Sequence, residues 1–123
     1  MLPFELRQEL LWTLQNEVIH LIAEDRSTEA VAEAICRGAE RVTSDIACSI
    51  LKVRDQRLQH LAGPSLPHDY ARETTGLEIG PMVGSCGTAA YRREPVLALD
   101  IRSDPLWQDF QHLAERLPHR ACW

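Results

Sequence analysis

The residues best suited to chemistry lie in one short run, Gly84-Ser85-Cys86-Gly87-Thr88. Two glycines free the backbone, two hydroxyls offer donors and acceptors, and a thiol sits between them. At a helix start such a turn presents unpaired backbone N–H groups, which favour an anion or a carbonyl. The same composition also serves structure alone. The glycines let the loop pass close to a sheet, and Ser85 and Thr88 cap the helix. Cys86 at that helix start would have a lowered pKa if exposed, which makes it the one credible reactive thiol; the alternative is packing as a small hydrophobe.

Other polar residues are less concentrated. His60 shares a strand face with Leu58 and Ala62 and is either a polar pocket wall or a satisfied core histidine. Asp104 reads as a helix N-cap and Trp107 as core. His20, His68, His112 and His119 follow no ligand spacing, and Cys36, Cys48, Cys86 and Cys122 form no C-x-x-C pair, so no metal site is expected. Cys36, Cys48 and Cys122 read as buried hydrophobes, and no disulfide is expected to be needed for folding. No Ser/His/Asp arrangement and no isolated carboxylate pair points to hydrolysis.

The elements that position these residues follow from periodicity. Leu6, Leu10, Leu14, Val18, Leu21 and Ile22 recur at spacings of three and four, an amphipathic helix whose stripe is widened by Leu11 and Trp12. That width predicts self-association through the helix, with burial of the whole stripe on the home domain as the alternative. Ser27 then caps a second helix, with Val31, Ala34, Ile35, Ala39 and Val42 on one face and Gly38 permitting close approach of another backbone, a sheet being the natural neighbour. From Ile46 the period becomes two, predicting a strand buried on both faces. Arg54-Asp55-Gln56 turns it into a partner strand over Arg57 to Ala62. A short helix begins at Pro67, and an irregular loop carries Gly76, Gly80, Pro81 and Gly84. A helix then runs from about Ser85 to Arg92, a strand from Val96 to Leu99 and a helix from Pro105 to Leu117, before a last strand opens at Arg120.

The chain has 123 residues, 45% of them hydrophobic, enough for one modest core. Its net charge of −5 and lack of any Lys/Arg cluster argue against nucleic acid. No apolar run approaches the roughly 20 residues needed to cross a bilayer. Met1-Leu2-Pro3-Phe4-Glu5-Leu6-Arg7 lacks the form of a signal peptide, so a cytoplasmic location is expected.

The succession of elements, with Gly84-Ser85-Cys86-Gly87-Thr88-Ala89, Asp100-Ile101, Asp104-Pro105-Leu106-Trp107 and Arg120-Ala121-Cys122-Trp123, resembles a GAF domain of bacterial signalling proteins. In these proteins the domain precedes diguanylate cyclase, cyclic-di-GMP phosphodiesterase or histidine-kinase modules. The resemblance implies an α+β fold: a central antiparallel sheet, N-terminal helices on one face and a loop-and-helix cover on the other. Residues 1–24 would be the amphipathic, dimerising helix and residues 25–123 the GAF domain, expected to stop short of its C-terminal strands. The implied role is a regulatory, non-enzymatic sensor of an unidentified small molecule, working as a homodimer, with no cofactor identified. By position, His60, Tyr70, Ser85, Cys86, Thr88, Asp100 and Trp107 become candidate pocket walls. The cyclic-nucleotide motif and the bilin-attachment context of the family are not visible. Two alternatives stand beside this reading. One is a GAF-fold free methionine-R-sulfoxide reductase using Cys86, whose Gly-x-Cys-Gly-Thr-Ala segment the chain resembles although no second cysteine is clustered after Asp100; the other is a dimerisation module with an empty pocket.

Overall fold

A computed structural model describes residues 2–123. The chain is α+β, in the order α1 (Phe4–Ala23), α2 (Thr28–Val42), β1 (Ile50–Arg54), β2 (Arg57–Ala62), α3 (His68–Thr74), α4 (Cys86–Arg92), a 3-10 turn (Pro105–Phe110) and α5 (Gln111–Ala114). It divides into two compact units. The first takes in the chain through Leu51 together with His60–Leu66; the second holds Lys52–Gln59 and Pro67–Trp123.

In the first unit α1 packs along α2. The apolar periodicity of the sequence appears here as two faces of α1. Leu10, Leu14, Val18 and Leu21 are half-buried, whereas Phe4, Leu11, Trp12, Ile19 and Ile22 remain exposed, Trp12 by 65%. Ser27 caps α2 as expected, its hydroxyl accepting the Ala30 N–H at 3.1 Å. The deepest line of α2 is its small residues, Ala32, Cys36 and Gly38, flanked by the half-buried Val31, Ala34, Ile35, Ala39 and Val42. Gly38 admits Leu14 of α1 and not a sheet: a methyl group there would overlap the Leu14 side chain. Arg41 and Glu17 pair across the two helices at 3.6 Å, an exposed contact that adds little stability.

The two strands form an antiparallel hairpin. Asp55 and Gln56 both have positive φ, 52° and 64°, the two-residue turn whose twist matches that of paired strands. The expectation of a strand from Ile46, buried on both faces, is corrected. β1 begins at Ile50, its first two residues are half-buried, and Lys52, Val53 and Arg54 are exposed. Asp45 occupies the left-handed region at φ 62°, and the Cys48 N–H is taken by the Glu40 carboxylate at 2.9 Å. A donor engaged by a side chain cannot serve a strand ladder.

The core of the second unit collects Leu58, Ala98, Ile101, Trp107, Leu113, Ala114 and Leu117, with Thr74, Ser85 and Thr88 as buried polar residues. The expected strand over Val96 to Leu99 keeps its alternation, since Ala98 is wholly buried while Leu97 and Leu99 are exposed. Its pairing reduces to one antiparallel bridge, Ala98 with Cys122. Asp104 caps the following turn, its carboxylate accepting the Leu106 N–H at 2.9 Å. The single helix expected from Pro105 to Leu117 is instead a 3-10 turn followed by α5. The Gln111 side-chain amide donates to the carbonyls of Ile101 and Trp107, both at 3.0 Å, at that junction. Past α5, Arg116 reaches Glu73 at 2.6 Å and Asp69 at 3.4 Å on α3.

Candidate functional site

The Gly84–Thr88 turn is built from the inside. Gly84 has φ 59°, a backbone conformation that side chains resist, and its N–H donates to the Leu106 carbonyl at 2.8 Å. Thr88, wholly buried, donates its hydroxyl hydrogen to the Gly84 carbonyl at 2.5 Å and accepts the Val83 N–H at 3.0 Å. Ser85 does not cap α4. Its hydroxyl instead accepts the Trp107 indole N–H at 3.0 Å, so the two most buried polar groups of the turn hold the loop to its own unit.

The thiols nearby are not activated. Cys86 keeps solvent-exposed surface, yet burial around its sulfur, with Cys122 adding, pushes the thiol up to about 11. The lowering that an exposed thiol at a helix start would have is therefore not found, because burial disfavours the thiolate, and the packing alternative fits Cys86 better. Cys122 is also raised by burial, against the pull of a hydrogen bond from the Ser85 hydroxyl. Ser85 thereby links the Trp107 indole to the Cys122 sulfur. Tyr70 on α3, half-buried, has its phenol raised by burial and by Cys86 and Cys122; it stays a neutral donor. Tyr70, Ser85, Cys86, Cys122 and Trp107 thus form one neighbourhood. Cys122 joins it through the Ala98 bridge, which residue spacing does not announce.

Asp100 has different company. Both its oxygens take the Arg120 guanidinium, at 3.0 and 2.7 Å, and Oδ1 also accepts the Arg102 N–H at 3.0 Å. Hydrogen bonding by Arg120, then by the Arg102 N–H, holds its carboxyl below the usual range. His60 belongs to the first unit. There an open groove of about 440 Å³ is lined by Ser27, Glu29, Ala30, Glu33, Leu61, Ala62, Gly63 and Pro64, none of which is among the seven residues singled out by sequence. Among the described residues no group of His, Cys, Asp and Glu could hold a metal ion, and no helix is long and apolar enough to cross a membrane.

Burial holds the half-buried His60 below its ordinary value of 6.5. The unfolded chain therefore binds this proton more readily than the folded one. The stability contributed by the neutral imidazole is complete above pH 6.5 and is lost as pH falls toward the folded-state pKa. Thermal melts across pH should show this decline, and His60→Gln should flatten it; an unchanged slope in the variant would assign the decline to other groups.

No protein-family model matches the chain, and no solved structure matches it. Among curated proteins, the methyl sulfide methyltransferase-associated sensor of Methanosarcina acetivorans is 30% identical over 111 residues. The alignment covers 89% of this chain and 11% of that relative.

Proposed function

We propose that the chain is a small-molecule sensing domain of the GAF type. It would regulate an output module such as a cyclic-di-GMP synthase or phosphodiesterase, or a histidine kinase. The observation that supports a sensing role is the alignment of 89% of the chain with 11% of a protein named as a sensor; the GAF type and the output modules rest on the resemblance of the Gly84–Ala89 and Asp104–Trp107 segments. The ligand meets the second unit at Tyr70 and Cys86, where a neutral phenol offers a polar contact, and the buried Ser85 hydroxyl holds the turn beneath them. Thr88 and Trp107 hold the turn in shape. A compound library screened by thermal shift is expected to yield a stabilising ligand. Tyr70→Phe should then weaken that ligand about two- to twelvefold, the effect of losing one hydrogen bond worth roughly 0.5–1.5 kcal/mol. Calorimetry checks this, and affinity indifferent to both Tyr70→Phe and Ser85→Ala would overturn the site.

The reductase alternative draws on the nearness of Cys122 to Cys86, which supplies the second thiol that such chemistry uses. Against it, a thiol pushed up to about 11 is a poor nucleophile at neutral pH. Reduction of free methionine-R-sulfoxide, abolished by Cys86→Ser, would establish the enzyme reading in place of the sensor.

The proposed homodimer would form through the outer face of α1, a reading supported by the exposure of Phe4, Leu11, Trp12, Ile19 and Ile22. Light scattering should report a dimer that Trp12→Glu with Ile19→Glu converts to monomer. Neither residue lies on the half-buried face of α1, so folding should survive. A wild-type chain that stays monomeric at high micromolar concentration would remove dimerisation from the proposal.

A further inference from the structure

Cys36 and Cys48 lie 12 positions apart, a spacing that matches no motif, yet the first unit brings them together. Cys36 is wholly buried on α2. Glu40 lies one helical turn further along the same face, and its carboxylate is a clamp. Oε1 accepts the Cys48 backbone N–H at 2.9 Å and Oε2 accepts the Ser65 hydroxyl at 2.7 Å. The segment that leads into β1 is thereby pinned over α2 one helical turn from Cys36, and Cys48 is among the neighbours that act on the Cys36 thiol. That segment is irregular from Thr43 to Ser49, with Asp45 in the left-handed region, so no strand ladder fixes Cys48 against the approach that a sulfur–sulfur bond requires.

We propose that Cys36 and Cys48 are a dithiol that closes reversibly to a disulfide by exchange with a low-molecular-weight disulfide, covalently locking α2 to the entry of β1. Cys48 is half-buried and Cys36 fully buried, which sets the order of events. The Cys48 thiol loses its proton and attacks one sulfur of the reagent R–S–S–R; the reagent's S–S bond breaks, giving Cys48–S–S–R and RS⁻. Cys36 then loses its proton and attacks Cys48 Sγ, the mixed disulfide breaks, and the second RS⁻ leaves. The two released thiolates carry away the two protons as RSH. The protein gives up two electrons, and the reagent disulfide is reduced to two thiols. Burial, the neighbouring Cys48 and the Glu40 and Glu33 carboxylates push the Cys36 thiol up to about 12. The closing step is consequently slow, and its rate depends on Cys48 being held in place. This pair lies in a different unit from Cys86 and Cys122, so the proposal is independent of the ligand site.

The chain is incubated with oxidised glutathione and digested with trypsin under non-reducing conditions. The expected product joins residues 27–37 to residues 42–52, with the mass of two hydrogens lost. Closure of so short a loop should also raise the melting temperature by roughly 5–10 °C, a rise reversed by dithiothreitol. Cys48→Ser should abolish both effects. Cys36→Ala should instead accumulate the glutathione adduct on Cys48, because nothing resolves it. The proposal is overturned if wild type accumulates that same adduct without the joined peptide, if neither cysteine reacts, or if the cross-link joins other cysteines. Should Cys36→Ala fail to fold, the wild-type peptide map and Cys48→Ser decide the matter.

Discussion

Replacing Trp107 by alanine is expected to destabilise the second unit by about 3–5 kcal/mol, the usual cost of deleting a large buried aromatic side chain. The indole is only 3% exposed. Its ring lies against Gly84, where a Cβ would sit 3.6 Å from the ring, and its N–H donates to Ser85 at 3.0 Å. The substitution therefore removes apolar area, opens a cavity under the turn and leaves the buried Ser85 hydroxyl without its donor. Trp107→Phe separates these effects. It keeps most of the packing and should cost less than the alanine change, with about 1–3 kcal/mol assigned to the lost indole hydrogen bond and the smaller ring. Denaturant titration followed by circular dichroism measures both. A loss below about 1 kcal/mol for Trp107→Ala would mean that the turn repacks freely, contrary to close packing around the indole.

That dependence shows which parts of the fold were legible in the sequence. Local rules sufficed wherever the deciding interaction was local. Leucine spacing located α1 over nearly its full length, Ser27 and Asp104 capped the elements they precede, and Arg54-Asp55-Gln56 marked the hairpin turn. The rules failed where a partner far along the chain decided. β1 starts late because Glu40, eight residues upstream, takes the Cys48 N–H. Ser85 does not cap α4 because Trp107, 22 residues away, claims its hydroxyl. Sequence left Cys86 open between a thiol lowered at an exposed helix start and a packed one, and the protein around it decides for packing by raising the thiol. For the candidate site, sequence located the turn but not its company. Cys122 enters through one bridge to Ala98, and Asp100 is held by Arg120, pairings that neither periodicity nor motif spacing encodes.

Thr88→Val should cost about 1–3 kcal/mol of stability, although valine nearly matches threonine in shape and leaves no cavity. The loss comes from two backbone groups. The Thr88 hydroxyl accepts the Val83 N–H at 3.0 Å and donates to the Gly84 carbonyl at 2.5 Å, so a methyl group in its place takes the partner from a part-buried donor and a buried acceptor. Thr88→Ser keeps the hydroxyl and loses only a methyl group, so it should retain most of the stability. The pair of variants also tests how the turn serves sensing. A hydroxyl already committed at both its hydrogen and a lone pair shapes the loop first, so valine should lower the melting temperature more than serine does and loosen Ser85 and Cys86. If Thr88→Val melts as wild type yet weakens a bound ligand, the hydroxyl faces that ligand, and the internal hydrogen bonds contribute nothing to holding the turn. If both variants melt as wild type and bind equally, the rigidity of the Gly84–Thr88 turn comes from its glycines and Trp107 alone.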